Sequence, residues 1–492
     1  MAQTPEIKLP GDTSNVVMRF APNPNGPPTI GHARGITVND HLVRKYDGQF
    51  ILRFDDTDPK LKKPLLEAYD WYVEDIRWLG AEPDRIIIAS DRMPEYYKAA
   101  EELIRMGKAY ACSCPKEDFK KLKDAGRECQ CRPKSAEENL EAWKGMLKGD
   151  YDEGGIVLRI KTDLEGDDPA IRDWVAFRIV KERHPRVGDK YMVWPMLDFE
   201  SAIEDRLQGV THIIRGKDLI DSEKRQKFVY DYMNWKYPIT LHWGRIRLED
   251  FGKFSTSAIS KSIAEGAYSG WDDVRLPTLR AFRRRGITAE AIIRTMLALG
   301  LSESDISLSM ENVYAENRKI LDPLAGRYFF VEDDGFTVST EGTPGKTVRL
   351  PLNPNRKFDG TRDMALEVKD NRTVCCIPSQ DAMSLKEGEV IKLIGQYDVT
   401  IMEVDIEGKL IRAEYTNSKG GKKLHWTFPP GQKAGGGSVR AEILMPDGTK
   451  KEGYAEHSCV HLNVGDIVQF ERLGFCRLDS KEPALTFCFG HS

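Results

Sequence analysis

The stretch MRFAPNPNGPPTIGHARG, Met18 to Gly35, joins an apolar run to a rigid proline- and glycine-rich turn and then to a helical pattern around Gly31 and His32. Such a passage directs unpaired backbone N–H groups and a positive dipole end toward anything lying at the turn, which suits a phosphate. Gly31 would let a nucleotide lie close to the backbone, and His32 can donate a hydrogen bond as charge builds on a phosphoryl oxygen. Outward from this stretch, Val16 to Ala21 reads as a strand. Ile36, Leu42, Val43 and Tyr46 keep helical spacing up to Gly48, and Phe50 to Phe54 reads as a second strand. The result is a βαβ unit. Just beyond it LRFDDTDP, Leu52 to Pro59, sets Asp55, Asp56 and Asp58 where open parallel sheets bind ligands, although an acidic strand end also reads as a turn or helix cap.

The chain has 492 residues, room for about three to four domains. With 40% hydrophobic and 30% charged residues it is neither collagen-like nor wholly disordered. Lys and Arg number 73 against 77 Asp and Glu, a net charge of −4, so a nucleic-acid site has to be a local patch. The N-terminal MAQTPEIKLPGDTSN lacks a basic segment followed by an apolar run, and no long apolar stretch occurs, so a soluble, cytoplasmic protein is expected. Nine cysteines in such a length argue against a disulfide framework.

From about Tyr110 to Asp189 the pattern breaks into cysteines, lysines and glycines, with a helix-like Ser135 to Leu147, which predicts an insertion into the sheet domain. The α/β texture resumes near Tyr191 and carries through Ile213, Ile214 and Trp243. RLPTLRAFRRR, residues 275–285, holds five arginines and no acid. Arg280, Arg283 and Arg284 share a helical face there, suited to an RNA backbone or simply solvated. Ile292, Ile293, Met296 and Leu297 then predict a helix closed by Gly300. After about Gly326, short β-prone runs at Val390–Ile394, Leu410–Tyr415 and Leu424–Phe428 alternate with glycine-rich turns, an all-β texture. GQKAGGG, residues 431–437, reads as a loop tip.

Three further clusters carry chemistry. WPMLDFESAIEDRLQGVTHIIRGKD, Trp194 to Asp218, sets Asp198, Asp205 and Arg215 among apolar residues, as a site or as an ion-paired structural arginine. GKFSTSAISKSIAEG, Gly252 to Gly266, is a loop of small hydroxyl residues flanked by Lys253 and Lys261. Cys112, Cys114, Cys129 and Cys131 form two C-x-C pairs, an S4 set suited to tetrahedral Zn²⁺ in a structural role, since four thiolates leave no open position. The remaining Cys375, Cys376, Cys459, Cys476 and Cys488 read as buried small apolar residues.

Met18–Gly35 resembles the HIGH signature of class I aminoacyl-tRNA synthetases of the glutamyl/glutaminyl branch, with Thr29, Ile30, Gly31 and His32 at the four positions and threonine replacing the first histidine. Gly252–Gly266 resembles the KMSKS signature, with Lys253, Phe254, Ser255, Thr256 and Ser257 as its five positions. Thr256 there replaces the second lysine. An alternative register uses Ser260, Lys261 and Ser262. Val464–Asp479 resembles the last strands of the β-barrel anticodon-binding domains of the archaeal/eukaryotic type. The resemblance covers nearly the whole chain.

It implies an α/β fold: a Rossmann-type catalytic domain with an inserted acceptor-binding domain, a helical domain and C-terminal β-barrel anticodon-binding domains. The expected ranges are catalytic halves at 1–108 and 191–250, the insertion with its zinc site at 109–190, the KMSKS-like loop and helical domain at 251–327, and barrels at 328–492. The implied reaction is ATP-dependent attachment of glutamate to tRNA(Glu), with Mg²⁺ accompanying ATP and with tRNA(Gln) left open as a second acceptor. The implied catalytic residues are His32, Thr29, Lys253 and Lys261. Gly31, His32, Ser255, Thr256 and Ser257 would bind ATP, and Arg19, Ala21, Asn23, Asp55 and Arg215 would bind glutamate. Two guanidinium forks, Arg19 and Arg215, suit a substrate with two carboxylates. A glutaminyl enzyme and a catalytically decayed tRNA-binding protein are the alternatives. A monomer without membrane contact is expected.

Overall fold

The computed structural model describes residues 6–251, 255–354, 360–430 and 437–492. They form two compact units, the first comprising the chain up to Tyr268 with Ile292–Met310, the second Ser269–Ala291 with Glu311–Ser492.

The first unit opens with β1 (Val17–Phe20), α1 (Ile30–Lys45), β2 (Gln49–Phe54), α2 (Leu66–Trp78) and β3 (Arg85–Ile88). The three strands pair in parallel in the order β1-β2-β3, with Arg19 opposite Ile51 and Ile51 opposite Arg85. Every residue of β2 after Gln49 is buried, as expected of a central parallel strand covered on both faces. The helix α1 lies close on β1 because residue 35 is glycine: a Cβ there would stand 2.9 Å from the Phe20 ring.

Next come α3 (Met93–Arg105), β4 (Ala109–Cys112), α4 (Lys116–Asp124), α5 (Ala136–Lys148), β5 (Val157–Ile160), β6 (Val175–Ile179) and β7 (Val193–Pro195). These four strands form a separate antiparallel sheet in chain order. Ser135 starts α5 with a reciprocal cap, its Oγ receiving the Glu138 N–H at 3.2 Å while Glu138 Oε2 receives the Ser135 N–H at 2.8 Å. Trp143, Phe177 and Trp194 are wholly buried beneath this sheet, with Phe177 meeting Trp143 and Phe199 edge to face.

The chain then returns to the parallel sheet through α6 (Leu197–Leu207), β8 (His212–Gly216), α7 (Ile220–Tyr232) and β9 (Ile239–Trp243). β8 and β9 pair in parallel, and Thr211 at the head of β8 exchanges hydrogen bonds with Val17: its N–H donates to the Val17 carbonyl at 3.0 Å, and its hydroxyl receives the Val17 N–H at 2.9 Å. Thus β1 stands between β2 and β8, and the chain leaves it in opposite directions. That is the topological switch point at which open α/β sheets hold ligands. A short parallel pair, β10 (Ile246–Leu248) with Ile306–Leu308, and α8 (Thr256–Ala264) complete the part that concerns the site.

In the second unit a seven-stranded sheet has Gly326–Tyr328 and Phe330–Glu332 as its two edges. Only Phe329 separates them in sequence, so the sheet has to curl until its edges meet, which makes it a barrel. A six-stranded sheet ends on Arg372–Ile377 and Lys422–Leu424, and it too closes on itself: Cys376 and Thr427 exchange backbone hydrogen bonds of 2.8 and 2.9 Å. Separate apolar cores fill the two, one around Trp426, Ile391 and Val399, the other around Phe470, Phe487 and Ile443. Cys375, Cys459, Cys476 and Cys488 are buried in these β-structures, and Cys376 is half-buried. The arginine run forms one short helix, Leu279–Arg284, whose Arg284 grips Asp479 through Nε and Nη2 at 3.1 and 2.7 Å. Arg285 is buried and donates to the carbonyls of Phe489 and Gly490.

Candidate active site

A cleft of about 500 Å³ opens at the carboxyl ends of β1, β2 and β8. Arg19, Ala21, Gly31, His32, Asp55 and Arg215 all line it. An adjoining recess of about 280 Å³ shares Ala21, Asp55 and Leu197 with the cleft and adds Asn23 and Glu200.

Thr29 is the residue before α1 and keeps an extended backbone, so the helix opens at Ile30 with Gly31 and His32 in its first turn. The His32 Nδ1 receives the Thr29 backbone N–H at 3.0 Å and lies 3.2 Å from the Thr29 hydroxyl. A backbone N–H can only donate, so the neutral ring carries its proton on Nε2. Phe20 and Tyr72 flank the ring edge to face, and burial lowers its pKa from 6.5 to about 4. At neutral pH His32 is therefore an uncharged donor. Gly31 is exposed at the helix mouth, and a Cβ there would meet nothing nearer than the Thr29 hydroxyl at 3.7 Å, so the protein itself does not demand glycine.

The cationic side of the cleft is organised around Asp205, on α6. Its carboxylate receives Arg19 Nε at 3.0 Å and Nη2 at 3.4 Å, and Arg53 Nη1 at 2.7 Å. Arg53, fully buried near the carboxyl end of β2, turns its other edge to Asp55, with Nε–Oδ1 at 2.6 Å and Nη2–Oδ2 at 3.2 Å, and donates to Ser201 Oγ at 2.7 Å. Burial works to raise the Asp205 pKa, but Arg19, Arg53 and Arg215 together hold it down at about 2. It is ionised throughout the physiological range, and its contribution to stability is lost only as pH falls from its ordinary 3.8 through about 2.

Arg215 differs from its neighbours. Its Nη1 donates to Gln226 Oε1 at 3.1 Å, and the Tyr237 hydroxyl donates to the same oxygen at 2.7 Å, which fixes the side chain. Yet Nε and Nη2 are buried without a hydrogen-bond partner, and Nη2 lies 3.9 Å from Asp205 Oδ2. Burial and the Arg19 charge lower its pKa, but a guanidinium remains protonated at neutral pH. Unpartnered donors on a buried cation carry a large desolvation cost, which an anion in the cleft would relieve.

The structure thus brings Arg19, Ala21, Gly31, His32, Asp55 and Arg215 to one cleft, with Asn23 in the recess beside it and Thr29 against His32. The second signature stretch is placed otherwise. Ser255 caps α8, its Oγ receiving the Ala258 N–H at 3.1 Å and touching Ser257 Oγ at 3.1 Å, and Thr256 is the first residue of that helix. Lys261 is exposed and pairs with Glu265 at 3.7 Å. None of these four lines the cleft, and Lys253 lies outside the described residues. Arg53, Gln226 and Glu200 are organising residues that the sequence did not single out, and Asp205, singled out beside Arg215, was given no role there. Arg53 had a signal: a charge in a wholly apolar strand has to be paired, and Asp55 is two residues on. Gln226, in mid-helix, had none.

Cys112 leaves β4, and Cys114, Cys129 and Cys131 lie on the loops flanking α4. The four sulfurs are within 4.8 Å of one another, with Cys112–Cys129 at 3.9 Å and Cys114–Cys131 at 3.7 Å. A tetrahedral Zn²⁺ with bonds of about 2.3 Å requires sulfur separations of about 3.8 Å, so the four-cysteine cluster fits a structural zinc site. Metal analysis of the purified protein should return about one zinc per chain. Chelation should expose the Cys112–Cys131 segment to proteolysis while nucleotide binding survives. A protein free of zinc yet equally protease-resistant ends the assignment.

A parallel sheet with a histidine-led helix mouth at its switch point is the frame of a Rossmann-type class I synthetase. The chain belongs to the class I tRNA synthetases of the E and Q family, whose catalytic domain it matches over residues 15–323 and whose anti-codon binding domain it matches over 325–416 and 430–479. It is 51% identical over 489 residues to the glutamate–tRNA ligase of Archaeoglobus fulgidus, covering 98% of this chain and 85% of that one. Identity is 50% over 482 residues to the glutamate–tRNA ligase of Methanococcoides burtonii, covering 97% and 82%. To that of Methanosarcina mazei it is 49% over 474 residues, covering 95% and 80%.

Proposed function

We propose that this chain is a glutamate–tRNA ligase that activates glutamate with ATP and Mg²⁺ and transfers it to the terminal adenosine of tRNA(Glu). The observation that carries the choice of glutamate is Arg215, a buried guanidinium at the cleft wall with two nitrogen donors lacking hydrogen-bond partners. In this reading Arg215 takes the side-chain carboxylate. Arg19, whose Nη1 is not engaged by Asp205, takes the α-carboxylate, and Asp55 takes the α-ammonium, beside Ala21 and Asn23. Glutamine, with one carboxylate, would leave Arg215 buried against a neutral amide.

The first step joins a substrate carboxylate oxygen to the α-phosphorus of ATP and expels pyrophosphate. In the second, the 2′-hydroxyl of the tRNA attacks the mixed anhydride carbonyl and AMP departs. Neither step needs a strong protein base, so positioning and stabilisation of phosphate charge decide the rate. His32 Nε2–H, Thr29 and the N–H groups at the α1 mouth, with Gly31 leaving room, serve the phosphates. Ser255, Thr256, Ser257 and Lys261 would reach them only by movement of the α8 segment, and Lys253 is assigned to the phosphates from its place in the signature.

The chain is read as a cytoplasmic monomer; no helix among the described residues is long and apolar enough to cross a membrane. Aminoacylation with purified tRNA(Glu) and tRNA(Gln), each offered labelled glutamate or glutamine, tests the function. Glutamate should be charged onto tRNA(Glu), and glutamine onto neither tRNA. Glutamate on tRNA(Gln) would widen the acceptor range, whereas glutamine charging would overturn the reading.

A further inference from the structure

The recess beside the cleft holds an arrangement that guanidinium recognition of glutamate does not use. Glu200, on α6, is completely buried, yet only one of its oxygens is engaged: Oε2 receives the Thr57 hydroxyl at 3.1 Å, while Oε1 has no hydrogen-bond donor. The nearest cation, Arg53 Nε, is 4.0 Å from Oε1 and already binds Asp55 at 2.6 Å. Asp55 and Glu200 both line the recess, and the same Arg53 nitrogen is the cation next to each of them. Two carboxyls so placed cannot both be ionised without a second cation, because like charges in a buried site repel strongly. Asn23 adds a third unsatisfied acceptor, Oδ1, to the same recess.

The recess adjoins, through Ala21, Asp55 and Leu197, a cleft that two guanidinium groups, Arg19 and Arg215, also line. A ligand held there by its carboxylates would therefore turn whatever cationic group it has toward Asp55, Glu200 and Asn23. Three acceptors match the three N–H donors of an ammonium. We propose that Glu200, buried beside the Arg53-bound Asp55, keeps its proton in the free protein and that the α-ammonium of the amino acid displaces it, so that substrate binding releases a proton. The inference rests on the glutamate reading above and adds Glu200 as a substrate-binding residue. The exchange balances: the protein loses H⁺ to solvent, and the ammonium, keeping its own three protons, replaces that charge.

The charged groups around the pair support a single exchangeable proton. Arg53 faces it from β2, Asp205 and Glu204 from its own helix, and Tyr96 from α3, where its hydroxyl is bound to Glu204 at 2.9 Å. At the recess Arg178 is paired with Asp58 at 3.0 Å, and Lys62 is exposed. Burial and the Asp55 carboxylate push the Glu200 pKa well above the usual carboxylate range. Asp205 stays ionised, and Arg53 is held charged by Asp55 and Asp205.

Calorimetric titration of the protein with glutamate, in the presence of tRNA and a non-hydrolysable ATP analogue, reads the exchange directly. Repeating it in buffers of different ionisation enthalpy counts protons. Glutamate should release about one proton, and its affinity should rise by up to about tenfold per pH unit while Glu200 remains protonated. Glutarate, which has both carboxylates and no ammonium, should bind without release. Glu200→Gln, which keeps the Thr57 contact, should bind glutamate with neither release nor pH dependence. Glutamate binding without release, or equal release by glutamate and glutarate, overturns the proposal and requires no variant. If neither ligand binds, the glutamate reading falls and takes this inference with it.

Discussion

Replacing Arg215 by alanine should raise the KM for glutamate by about two to three orders of magnitude, with the KM for ATP changed by no more than a few-fold. The size follows from the setting. A buried charge-assisted pair costs about 2–5 kcal/mol to break, and about 1.4 kcal/mol is a factor of ten. The variant leaves Asp205 matched by Arg19 and Arg53, so the fold retains its ion pairs and the loss falls on the substrate. Arg215→Lys should recover only part of the effect, because an ammonium cannot supply the planar fork that Gln226 and Tyr237 hold in place. Steady-state aminoacylation with glutamate and ATP varied in turn separates these effects. Unchanged KM and kcat for glutamate in the alanine variant would remove Arg215 from recognition.

The contrast between Arg215 and Arg284 shows what the sequence could convey. Both are arginines in regions that invite a ligand, and composition alone left each open as binding or structural. Their tertiary partners separate them: Arg284 meets Asp479, 195 residues on, and both carboxylate oxygens are used, whereas Arg215 retains unsatisfied donors. The βαβ unit was legible because its signals are local, a buried apolar run, a proline-glycine turn and a helical period within forty residues of one another. The meeting of Arg19, Arg53 and Asp205 was not, since it requires α6 to return to β1 and β2 across the whole inserted sheet. Barrel closure was hidden for a similar reason. No local pattern says that strands on either side of Phe329 are the two edges of one sheet. The Ser/Lys stretch is legible as a motif but not as a site, because Ser255 caps α8 and Lys261 pairs with Glu265.

His32→Ala should lower glutamate activation, measured as pyrophosphate exchange in the presence of tRNA, by about one to three orders of magnitude while leaving tRNA affinity unchanged. The ring is positioned by the Thr29 N–H on Nδ1, so its one donor is Nε2–H, at the mouth of α1. Removing one preorganised donor to a developing oxyanion typically costs about two to three orders of magnitude. The helix mouth and any magnesium carried by ATP would share that charge here, which sets the lower bound. His32→Asn, whose amide also donates, should restore part of the rate, whereas a purely steric role for the ring would not be rescued. Since burial holds His32 neutral down to about pH 4, the wild-type rate should show no titration of this residue between about pH 5 and 8. Stability behaves differently. The unfolded chain takes up a proton at this site near 6.5 and the folded one only near 4, so the neutral ring's contribution is complete above pH 6.5 and declines as pH falls toward 4. His32→Ala should flatten that part of the stability profile. An alanine variant that forms adenylate at the wild-type rate takes the histidine out of catalysis and leaves phosphate stabilisation to the backbone of α1 and the Ser/Lys segment.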